Sequence, residues 1–141
     1  MSFLVTCFLL VDAITSATAP EPVVTDPRSP EQLVESLAYA LTYADAALML
    51  ELSWTPAWDS LTAEEVAAAR GEAAAAMDAE RVRDAQETGN LPLSVQMIGF
   101  SLTAECVEMQ LLFQYAGSGL EEETREAVWR EGGWRLLADH I

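Results

Sequence analysis

Between Val107 and Tyr115 apolar and polar residues alternate. Val107, Met109, Leu111, Phe113 and Tyr115 fall on one side, and Glu108, Gln110 and Gln114 on the other, with Leu112 out of phase. A period of two marks a half-buried antiparallel strand. Gly117, Ser118 and Gly119 then turn the chain into a second strand, which carries Ala127 and Trp129 on one face. Gly132 and Gly133 predict another hairpin turn, into a strand that opens with Trp134. Upstream, residues 94–102 read as a strand entered through Leu91, Pro92 and Leu93.

Two helices are predicted before these strands. Ser29 can cap a helix, Pro30 fits its first turn and Gln32 completes a capping box. Leu33, Leu37, Leu41, Ala44 and Leu48 then recur at steps of three and four, which predicts a helix over 31–52, ended by Thr55 and Pro56. Thr62 and Glu65 form a second capping box, opening an alanine-rich helix over 63–87. Its apolar face is thin, made of Val66, Ala69, Ala73 and Met77, and Gly89 suits a left-handed cap after it. The expected fold class is α+β, with N-terminal helices packed on a sheet of about four antiparallel strands.

The N-terminus has a different character. Ser2 to Val11 is mostly apolar, too short for a full span, and Ala17, Thr18 and Ala19 resemble a small-residue cleavage site. Residues 1–19 therefore read as a hydrophobic signal or a truncated membrane anchor, with a buried N-terminal segment as the alternative. Residues 20–29 form a proline-rich linker, and residues 30–141 the folded domain. The localisation that follows is membrane-anchored or secreted, or cytoplasmic if the N-terminal segment is buried.

Composition narrows the function classes. An apolar fraction of 51% supports one packed domain, and 23 acids against seven arginines leave a net charge of −16. Such a surface repels phosphate backbones, so nucleic acid is not an expected partner. It suits solubility or a basic protein partner, and the cluster Glu121, Glu122 and Glu123 reads as a solvated strand edge. Cys7 and Cys106 form no metal-binding or redox motif, and a disulfide between them is not expected. The single histidine, His140, stands next to the C-terminal residue, and no P-loop, dinucleotide fingerprint or zinc-protease motif is present. No catalytic residue, metal or cofactor is expected.

Residues Leu41 to Asp45, Val107 to Tyr115 and the stretch Arg130 to Ala138, REGGWRLLA, carry a resemblance. In this order they resemble the cone-shaped α+β domain of the nuclear-transport-factor-2-like family over residues 30–139. The pattern is similar to that of actinobacterial membrane-anchored accessory proteins, of the mammalian-cell-entry-associated or conjugation-channel type. The chain shows four clear strands where the cone has six, and no basic cluster precedes its apolar run. The resemblance implies a curved sheet whose concave face is lined by Val107, Met109, Leu111 and Phe113, with Trp129 and Trp134 nearby.

Three functions are consistent with these readings. The first is a non-catalytic accessory domain, exported or membrane-tethered, that makes protein–protein contacts in an envelope transport or conjugation assembly. Its partner would be basic or a membrane-complex component, residues 1–19 could touch the membrane, and a homo-oligomer is compatible with it. The second is a small-molecule-binding or isomerase-type pocket, for which Tyr43, Asp45, Trp54, Trp58, Tyr115 and Trp129 are the ligand-binding candidates. The third is an acidic inhibitor of a basic partner.

Overall fold

Ser29 opens the first helix, α1 (Pro30–Thr42), and its hydroxyl accepts the Gln32 amide at 3.1 Å. The computed structural model describes residues 24–104 and 106–139. The expected signal or anchor at 1–19, Cys7, Glu105 and His140 lie outside them. The helix predicted to run to Leu52 stops at Thr42 and restarts as α2 (Ala46–Glu51). The reason is Ala44, which is left-handed at φ 53°. That conformation lets the Asp45 amide reach the Ala40 carbonyl at 2.9 Å and the Ala44 amide reach Leu41 at 3.4 Å, a Schellman closure. Asp45 then caps α2 by accepting the Leu48 amide at 3.1 Å.

The second predicted helix is also two. The Thr62–Glu65 capping box opens α3 (Ala63–Ala75) as expected. Asp78 ends the run by capping α4 (Ala79–Glu87) through the Arg81 amide at 2.9 Å. A short acidic side chain that bonds the backbone of the next turn favours a new start over continuation. Gly89, at φ 82°, closes α4 in the cap expected for it.

Among the described residues the sheet has five strands. They are β1 (Ser53–Trp54), β2 (Ser94–Leu102), β3 (Cys106–Tyr115), β4 (Gly119–Arg130) and β5 (Gly133–Leu137), in spatial order β1-β5-β4-β3-β2. The four antiparallel strands are those read from the pattern. The addition, β1, pairs parallel to β5 at Ser53↔Leu136 and Trp54↔Leu137. The last turn is shifted by one residue from the expected Gly132–Gly133. Arg130 pairs with Gly133, and Glu131 and Gly132 form the two-residue loop at φ 57° and 78°, as a type I′ turn requires.

Alternation divides the core between the two sheet faces. On one, α1 buries Leu33 and Leu41 against Val107, Met109, Leu111, Phe113, Ala127 and Leu136. On the other, Trp54, Trp58 and Val66 pack against Val128, with Cys106 and Leu137 alongside. The described part of the expected linker, residues 24–29, lies along β5: Pro27 is buried and its carbonyl accepts the Trp134 amide at 2.8 Å.

Gly133 is where that segment comes closest. A Cβ there would stand 2.8 Å from the Asp26 carbonyl carbon and 3.0 Å from the Pro27 nitrogen, both backbone atoms. We predict that Gly133→Ala destabilises the chain by about 2 kcal/mol, the scale of an overpacked contact. Urea unfolding checks this, and an unchanged midpoint would show that residues 24–29 yield freely.

Candidate functional site

The six residues singled out from the sequence fall in four places. Tyr43 and Asp45 sit at the junction of α1 and α2, where Tyr43 is 49% exposed with its ring against Tyr39 at 4.6 Å. Asp45 is occupied there as a helix cap. Trp54 and Trp58 are both buried and meet edge to face at 5.4 Å. Tyr115 donates to Glu123 at 3.0 Å, across the hairpin joining β3 to β4. Trp129 shares a face with Ala127, but at the strand's end, 43% exposed and edge-on to Trp134 at 5.3 Å. On the sheet face toward α1, the place of the expected concave pocket, Leu33, Leu41, Val107, Met109, Leu111 and Phe113 pack together as core.

Behind the two tryptophans lies a network that sequence reasoning missed. Arg70 is buried, and its guanidinium donates to the Leu50 carbonyl at 2.9 Å, the Ser53 carbonyl at 3.1 Å and Glu131 at 2.6 Å. It also stands over the rings of Trp58 and Trp54, at 5.0 and 5.7 Å. Arg135, also buried, donates to the carbonyls of Glu51 at 3.0 Å, Arg130 at 3.2 Å, Glu131 at 3.3 Å and Thr25. Burial pushes the Arg135 pKa down, and the charge of Arg70 adds to this, while the Glu131 carboxylate opposes it. One signal was available. Arg70 lies four residues after Val66, on the apolar stripe of α3, with no acid three or four residues away.

Next to this network an open cleft of about 830 Å³ separates α2 from α3. Its walls are Ala46, Met49 and Leu50 from α2 and Ala69, Ala73 and Ala76 from the α3 side, with Trp58, Met77 and Leu91 closing it and Glu72 as its one charged residue among those described. Of the six candidates, only Trp58 lines it.

The far edge of the sheet is β2. It is uncharged throughout, bonded on one side to β3, and leaves Ile98, Phe100 and Leu102 at 55%, 41% and 72% exposure. The register shifts between Met97 and Gly99, so Ile98 bulges out of the pairing. Beside it, the sheet face away from α1 is acidic: Glu108 pairs directly with Glu126 and Leu112 with Glu122. None of these carboxylates has an ion-pair partner among the described residues. Opposed like charges at this spacing are unfavourable unless a cation is supplied. Among the described residues no group of acids, cysteines or histidines gathers to hold a metal, and no helix is long and apolar enough to cross a membrane.

No protein-family model matches this chain, and no curated protein matches it. Two solved structures are similar. One, described as an NTF2-like transpeptidase from Campylobacter jejuni, has 14% identity and a TM-score of 0.49, covering 78% of this chain and 98% of that one. The other, a SEC-C motif containing protein from Rhodopseudomonas palustris, has 18% identity and a TM-score of 0.47, covering 78% and 76%. The α+β arrangement of helices on a five-stranded sheet rests on the elements described above.

Two outcomes follow from the geometry. Arg70→Met should cost about 3 kcal/mol in urea unfolding, because carbonyls and Glu131 lose a buried partner. Arg125→Met removes the 3.6 Å pair with Glu123, both side chains partly exposed, and a 6.0 Å approach to the Phe113 ring, and should cost about 1 kcal/mol. The second concerns pH. Burial first, and then the bond to Glu123, raise the Tyr115 phenol above its ordinary value of 10.0. The folded chain holds this proton more tightly than the unfolded one, so its stabilising effect is complete below the ordinary phenol value. It is lost as pH climbs from there through the folded value. Tyr115→Phe should make the alkaline decline in stability shallower; an identical slope would contradict the assignment.

Proposed function

We propose that this chain is a non-catalytic accessory domain of the nuclear-transport-factor-2-like kind found in actinobacterial membrane-anchored proteins. It is exported or membrane-tethered through residues 1–19 and acts by protein–protein contact in an envelope transport or conjugation assembly. The observation that supports contact is β2, an edge strand that carries no charge in a chain of net charge −16 and holds apolar side chains in solvent. Folded proteins ordinarily protect such an edge with charge, proline or cover; among the described residues the Ile98 bulge is the one such device on the strand.

An extended segment of a partner can add to this edge by backbone hydrogen bonds, with side chains on alternate faces choosing the sequence. On the face shared with α1, Phe100 and Leu102 favour apolar side chains. On the other face Gly99 and Ser101 are small, and Ser101 pairs with Glu108 one strand further in. Strands are spaced about 4.8 Å apart, so an arginine or lysine crossing this low stretch reaches Glu108 of β3. The partner segment is therefore apolar on one face and basic on the other, consistent with a basic or membrane-complex component.

The test uses an extended peptide that alternates valine with arginine. Binding should protect the amides of β2 from hydrogen exchange, and Phe100→Lys should weaken it about tenfold, the equivalent of 1.4 kcal/mol. Replacing the arginines with glutamates should abolish it. Binding that leaves β2 unprotected, or that ignores Phe100→Lys, would refute the edge as the contact site. The tether is checked separately by cell fractionation. A full chain recovered wholly from the cytosol with residues 1–20 intact would remove that part of the reading.

A further inference from the structure

The cleft between α2 and α3 is apart from β2, and the contact reading leaves it unused. Along the cleft α3 turns the methyl groups of Ala69 and Ala73 toward α2, followed by Ala76 and with Glu72 beside them, where larger side chains would interdigitate with Met49 and Leu50. The cleft volume of about 830 Å³ falls within the usual range of small-molecule sites, about 300–1,000 Å³. On α3 the lining runs from Ala69 to Ala76, about two turns or 10 Å, the length of a compact ligand.

We infer that this cleft binds a small lipophilic cation, an apolar body of roughly eight to ten carbons with an ammonium head. The apolar part follows from the walls, where two methionines, Met49 and Met77, can reshape around a chain of undefined outline. The charge follows from Glu72, the charged member of the lining, which has no ion-pair partner among the described residues. No arginine lines the cleft to receive an acid head group; Arg81 is turned to the Ala76 carbonyl at 2.7 Å. A fatty acid would bring a second negative charge to Glu72 and to a surface already at −16. Trp58 forms one wall, so its emission reports on occupancy.

Three probes of equal chain length separate the contributions: octyltrimethylammonium, octanol and octanoate, titrated against the full chain at physiological salt. The cation should bind one to one with a change in tryptophan emission, octanol more weakly and octanoate least. Ala73→Leu fills the cleft and should lower affinity for the cation about tenfold. Ala76→Leu provides a second filling variant at an exposed position should the first disturb the fold, and circular dichroism verifies each. Glu72→Gln should weaken the cation several-fold and leave octanol unchanged. Absence of saturable binding would overturn the inference. So would binding that both filled variants retain, which is adsorption to the acidic surface, or octanoate binding as tightly as the cation.

Discussion

Two buried guanidinium groups tie the helical layer to the sheet, and most of the remaining geometry depends on them. Arg70 and Arg135 reach the carbonyls of Leu50, Glu51 and Ser53, where α2 ends and β1 begins. A helix C-terminus carries partial negative charge and unpaired carbonyls, so it is a natural acceptor for buried cations. Setting two cations side by side in a protein interior is costly unless nearly every N–H is matched. Here the matching acceptors come from three segments of the chain, around Thr25, Leu50 to Ser53, and Arg130 with Glu131, so the arginines hold those segments in place together. They fix the bend between α2 and β1, the parallel pairing of β1 with β5, and the seat of the tryptophans against α3.

The same arrangement sorts the surface into regions of different character. Where the 3-10 turn Pro56–Ser60 and α3 cover the sheet, Arg130 pairs with Asp59 at 2.9 Å and holds that carboxyl below its ordinary range, with help from the Trp54 indole. Past this cover the outer face is left to Glu108, Glu122 and Glu126. Among the described residues β2 carries no charge, and the alanine-lined cleft has Glu72 as its one acid. A molecule with so much like charge confines its neutral contacts to small areas, which favours selectivity over promiscuous adhesion.

Much of the fold was legible in the chain. The alternation in β3 is visible because one of its faces is core, and the caps at Ser29 and Thr62 act over three residues and need no tertiary information. The missed features are those where distant contacts override local preference. Alanine is a strong helix former, so nothing local at Ala44 announces a left-handed residue; the break becomes favourable once Asp45 caps α2 and Ala44 is buried beside Val82. Strand β1 is two residues long and exists only through β5. Of the cleft, only Trp58 is among the ligand-binding candidates singled out from the sequence. The cleft itself was not legible, because an alanine stripe predicts close approach of two helices as readily as a gap between them.

Glu131 holds two roles that conflict locally. Its backbone sits at φ 57°, where glycine or asparagine would be at ease, while its carboxylate faces Arg70 at 2.6 Å and Arg135 at 4.0 Å. Substituting a residue better suited to the turn would relax the backbone and strip the arginines of their shared counter-charge. The isolated hairpin of β4 and β5 thus carries a backbone penalty that is offset only when α3 and the end of α2 have arrived. Local closure and long-range docking are thereby coupled, which favours unfolding as one cooperative unit even though β1 is two residues long.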